Sequence, residues 1–130
     1  MRVIPIASRH GVPDAGAGLR WVLVAPHRLF FSAAAIGLVL VSVWWFVVLW
    51  SRALGAALPT AVPPTWVHGW SMINGFLPLF MFGFLFTAGP KWLHMPEPAT
   101  RSLVLPAVLA TAGVPVVLIG AAVHAWIHEL

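Results

Sequence analysis

The chain alternates between long apolar runs and short polar or proline-rich breaks. Between Arg28 and Arg52 lie 23 residues without a formal charge. At about 1.5 Å of rise per residue, a helix of that length crosses the roughly 30 Å hydrocarbon layer of a bilayer. The pattern predicts a first helix over residues 29–50. The next uncharged stretch, residues 53–90, is too long for one span and is divided by the segment LPTAVPPTW. Pro59, Pro63 and Pro64 offer no amide donors and favour extended backbone, which makes residues 58–66 a loop. A second helix then covers about residues 68–90. Pro78 removes the amide that would serve the Asn74 carbonyl, so a bend is expected there. The turn-like MPEP at residues 95–98 leads into a third helix over about residues 103–128, a run too long for a strand despite its Val content.

Composition agrees. Of 130 residues 61% are hydrophobic and 8% charged. Ten charged side chains cannot cover a water-soluble domain of this size, while the apolar content excludes intrinsic disorder. No Cys is present, so disulfides, thiolate metal sites and Cys nucleophiles are excluded. The fold class expected is all-α, an integral membrane protein with three transmembrane helices. Residues 1–28 form a cytoplasmic tail and interfacial segment, mobile over its Gly- and Pro-rich part, and residues 29–130 form the membrane domain.

Charge placement sets the orientation. Arg2, Arg9, Arg20, Arg28, Lys91 and Arg101 fall on one side and Arg52 alone on the other. The excess of Lys and Arg on cytoplasmic segments predicts a cytoplasmic N-terminus and an external C-terminus, with Trp50, Trp66 and Trp70 in the outer aromatic belt and Trp92 in the inner one. Basic residues at span ends suit anionic headgroups rather than nucleic acid, and no nucleic-acid partner is expected. A chain ending just beyond its third span suits a small subunit or the first part of a longer membrane protein.

Candidate chemistry rests on histidines. On a helix, His68, Met72, Gly75 and Gly83 share one face, where the two glycines leave notches for a flat ligand or a partner helix. His124 and His128, spaced i,i+4, point together near the end of the third helix. His68 precedes the second span on the same side, so three imidazoles can converge at one leaflet. Such nitrogen donors suit haem iron or copper, and Met72 adds a thioether. HAWIH lacks the Glu of a zinc-protease motif. Interfacial histidines and helix packing are the ordinary occupations of these residues. His27 and His94 fall on the opposite side and offer a second layer. Asp14, Glu97 and Glu129, the only acidic residues, lie outside the spans, which leaves no paired-carboxylate centre and no buried ion pathway.

The segment WVHGWSMINGFLPLFMFGFLFTAGPKW, residues 66–92, resembles the first His-containing segment of the NnrS family, and APHRLFFSAAAIG resembles that family's entry into its first membrane helix. The family consists of polytopic bacterial inner-membrane proteins associated with haem, copper and the nitric-oxide response of denitrification. The resemblance covers about residues 25–92 and is most specific at Gly83, Phe84, Leu85, Thr87, Ala88, Pro90 and Trp92. His68 matches the first His of a WHAHEM-like motif and Met72 its Met, whereas Trp70 replaces the second His and Ser71 the acidic residue. His124 or His128 is then the expected substitute. The resemblance implies a membrane protein of the nitric-oxide response that binds haem b or copper through His68, His124 and His128, with Gly75 and Gly83 admitting the ligand. Three spans enclose a haem poorly, so a homo-oligomer or additional membrane subunits in the lipid bilayer are expected. Rival readings are a nonenzymatic assembly subunit of a larger complex and, less favoured, a transport component.

Overall fold

The computed structural model describes the backbone of residues 15–56 and 58–128, and side chains within 18–122 apart from 19 and 57. The Gly- and Pro-rich part of the tail, expected to be mobile, therefore lies largely outside the described residues. Helix α1 (Ala15–Val22) leads into α2 (Pro26–Ala53), α3 (Pro64–Ser71), a π-helical segment (Met72–Phe76), α4 (Leu77–Trp92), a 3-10 turn (Thr100–Leu103) and α5 (Val104–His128). No strand occurs among the described residues.

Three helical stretches are long and apolar enough to cross a membrane: Pro26–Ala53, Pro64–Trp92 and Thr100–Ala122, with mean hydropathies of 2.3, 1.6 and 2.3. The first starts earlier than the apolar run alone indicates. Ala25 is extended and Pro26 sits in the first turn, where its missing N–H costs nothing and its fixed φ favours the helix. Pro64 opens α3 in the same way, with Trp66 N–H bonding the Pro63 carbonyl at 2.9 Å. The prolines read as a loop thus end as a helix start.

Two helices close on left-handed residues. After α2, Gly55 has φ +75° and Ala56 N–H reaches the Ser51 carbonyl at 2.9 Å. After α4, His94 takes φ +54° and Met95 N–H reaches the Pro90 carbonyl at 2.9 Å. Both are the six-to-one closure that satisfies terminal carbonyls. Glycine suits it and histidine does not, so His94 carries backbone strain.

The interruption foreseen at Pro78 is a widened turn rather than a simple kink. Over Met72–Phe76 the backbone is π-helical, Leu77 N–H bonds the Met72 carbonyl five residues back, and the Asn74 side-chain amide donates to the Trp70 carbonyl at 3.0 Å. A π turn placed just before a proline gives the ring room. The Asn74 side chain thus bonds within its own helical stretch.

Helix α2 is the spine against which α4 and α5 pack. Near one end Leu29, Phe30, Ala33, Ala34, Leu79 and Ala107 form a buried cluster; toward the other end Val41, Val67, Val114 and Leu118 form a second. Small residues let the backbones close. A Cβ on Gly75 would lie 2.8 Å from Val114 Cγ2, and one on Gly83 would lie 2.6 Å from the Phe31 ring. Most of each span faces outward, with Val39, Val43, Phe80, Phe84, Leu105 and Val116 exposed. Apolar side chains facing outward along whole spans belong in lipid.

Candidate functional site

His68 stands on the second turn of α3. Proline-led entry at Pro64 fixes that helix against α2, and Ala61 N–H bonds the Ala121 carbonyl of α5 at 3.3 Å, which ties the preceding loop to α5 at the same end of the bundle. The His68 imidazole lies on the Trp45 indole of α2, with ring centroids 4.5 Å apart and planes 17° from parallel. Its Nδ1 is closed off from solvent and has no hydrogen-bond partner. That leaves Nε2 as the nitrogen through which the ring can bind anything.

The face of α3 turned to α5 is different. Trp66, Val67 and Trp70 join Val117, Gly120 and Ala121 around an apolar cavity of about 360 Å³. His68 is not part of that wall. Helix α5 continues from it through His124 to His128, so both histidines stand on the backbone at the end of the bundle that holds α3. Their side chains lie outside the described residues. Among the described residues no group of three or more His, Cys, Asp or Glu side chains stands close enough to hold a metal.

The remaining candidates divide by environment. Met72 packs against the cluster of Val41, Val67, Val114 and Leu118. Gly75 and Gly83, proposed as notches for a ligand or a helix, receive Val114 and Phe31. Ser71, at the position of the family's acidic residue, is 1% exposed and its Oγ has no partner. His94 is exposed at the left-handed position closing α4. His27 opens α2, half-buried, with its ring edge-on to Phe31 at 6.1 Å. Sequence reasoning missed Trp45 as the partner of His68; nothing in the apolar run marked it beyond being one of two adjacent tryptophans.

These features define a class: a helical membrane protein with a half-buried imidazole held on an aromatic ring at one end of the bundle. The family model for the NnrS protein matches residues 21–130. The chain therefore belongs to the NnrS family, and membership points to a membrane protein of the nitric-oxide response. The match includes α5 and so extends well past residues 25–92, where the resemblance was legible. No curated protein and no solved structure matches the chain.

Proposed function

We propose that this protein serves the nitric-oxide response in a bacterial inner membrane of a denitrifying cell by holding haem b or copper through histidines at the external membrane face. His68 is the first ligand, with His124 and His128 as the further donors. The observation carrying this reading is the placement of the half-buried His68 ring, stacked on Trp45, at the end of the bundle toward which α5 carries His124 and His128. A family whose members work in nitric-oxide response supports it.

Of the two groups, haem fits the described residues better. Haem would need few donors from this chain, and His68 offers an imidazole nitrogen, whereas copper would need several and Met72 is engaged in packing. Bound there, haem would supply a redox-active iron able to bind nitric oxide. The chain's own part is to hold and dry the site: Trp45 fixes the plane of the His68 ring, and Trp66 and Trp70 line the neighbouring cavity with apolar surface.

Purified untagged protein, analysed for metal and by an oxidised-minus-reduced optical spectrum, tests the reading. A stoichiometric haem or copper signal lost in His68→Ala supports it. Empty protein, or a spectrum unchanged in His68→Ala, overturns it.

A second reading, a nonenzymatic assembly subunit, is favoured by the apolar groove of about 470 Å³ between α2 and α5, lined by Ile36, Leu40, Ala107, Val108 and Pro115 among others. Small residues along such a groove admit another helix. Cross-linking in native membranes separates the two: a reproducible membrane partner on protein without cofactor supports the second, and a cofactor-bearing assembly of this chain alone supports the first.

A further inference from the structure

At the opposite end from His68, a cavity of about 290 Å³ lies between the start of α2 and the last turns of α4, walled by His27, Phe31, Gly83, Phe84, Thr87 and Lys91 among others. Its polarity is graded. Lys91 is two turns beyond Phe84 on α4, and His27 is one turn before Phe31 on α2, so the cationic and imidazole groups sit at the rim and the rings lie deeper along the spans. His27 Nδ1 is closed off and unpartnered, which again leaves Nε2 outward. Thr87 gives its proton to the Gly83 carbonyl at 3.0 Å and keeps its oxygen as an acceptor. Lys91 is held by one exposed contact, 3.6 Å to Glu97, too weak to commit it. Arg20, Arg28 and Arg101 carry further positive charge at this end, and Arg28 is turned onto the Trp21 ring at 4.5 Å.

We infer that this cavity is a binding site for an anionic phospholipid. The lipid phosphate lies between His27 Nε2 and Lys91 Nζ at the rim, and an acyl chain follows Phe31 and Phe84 into the bilayer. Basic pockets between membrane helices hold anionic headgroups in this manner. A free phosphate ion would use the rim and leave the aromatic walls without a role, so the lipid is the better match.

Native mass spectrometry of the full protein, released from bilayers containing equal phosphatidylglycerol and phosphatidylcholine, tests the site. Retention of phosphatidylglycerol over phosphatidylcholine is expected, weakened about fivefold in Lys91→Gln, in keeping with the strength of one cationic contact near a membrane surface, and weakened less in His27→Leu, which removes a neutral hydrogen-bonding group. Arg52→Gln, at the other end, leaves it unchanged. Equal retention of the two lipids overturns the inference. So does an Arg52→Gln effect as large as that of Lys91→Gln, which would mean bulk charge, or displacement of the lipid by inorganic phosphate, which would mean that the ion alone is recognised. Circular dichroism of each variant confirms that helix content is kept; Lys91 is exposed and leaves no cavity when replaced.

Discussion

His68 and Trp45 are stacked face to face, 4.5 Å between ring centroids, and this contact joins α3 to the spine of the bundle. Parallel aromatic pairs contribute about 0.5–1.5 kcal/mol beyond the area they bury. A double-mutant cycle of His68→Ala and Trp45→Leu, read by reversible unfolding in mixed micelles, is expected to give a coupling in that range. Coupling indistinguishable from zero would mean that the rings merely lie close. Trp45→Phe keeps a ring face and should retain most of it.

The glycines separate by what their missing side chains would meet. Gly75→Ala places a methyl 2.8 Å from Val114 Cγ2, on a residue whose branched side chain has one comfortable rotamer in a helix. Overpacking of this kind costs about 1–3 kcal/mol. Val114→Ala should relieve it, and the pair should be closer to wild type than Gly75→Ala alone. Gly113→Ala meets nothing within 4 Å and should be neutral or gain roughly 0.5–1 kcal/mol from helix propensity. Equal losses at both glycines would show that packing does not distinguish them.

Ser71 gives the opposite sign. Its hydroxyl is buried without a partner, and an unsatisfied buried polar group costs about 1–3 kcal/mol. Ser71→Ala should therefore hold or raise stability, measured by the same unfolding assay. A clear loss would reveal that Oγ meets a water molecule or ligand.

How much of this was legible follows from which signals are local. Span number and composition are written in the uncharged runs, because bilayer thickness sets a length that few other structures need. Pro64 was read as part of a loop and Pro26 was passed over: proline excludes a helix interior yet suits a helix start, and only the residues beyond it decide between the two. His68 was singled out by its helix face, its side of the membrane and its motif. Trp45 was not, because its partnership depends on the rotation of α3 about α2, which no periodicity within either run specifies. The glycines were read as notches for a ligand or a partner helix, while what stands against them in the fold, Val114 and Phe31, is a tertiary fact. His94 was read as candidate chemistry, and its left-handed backbone was hidden because histidine is an unusual residue there.

That strain gives a direct test. A non-glycine residue in the left-handed region costs roughly 1–2 kcal/mol. His94→Gly should stabilise the protein by a similar amount, less the extra freedom glycine adds to the unfolded chain, and should leave haem or copper content unchanged. A drop in stability would show that the exposed imidazole makes a contact worth more than the strain.

Orientation is testable because the chain has no cysteine, so any introduced one is unique. Ala56 follows α2 and Met95 follows α4, both exposed, at opposite ends of the bundle. Among the described residues Arg20, Arg28, Lys91 and Arg101 accompany the Met95 end and Arg52 the Ala56 end, and Lys and Arg are retained on the cytoplasmic side. Ala56→Cys should react with a membrane-impermeant maleimide in intact spheroplasts, and Met95→Cys only after permeabilisation. The reverse pattern would place His68 at the cytoplasmic face and remove the external site. Labelling of both from one side would break the three-span arrangement, since an odd number of crossings must separate them.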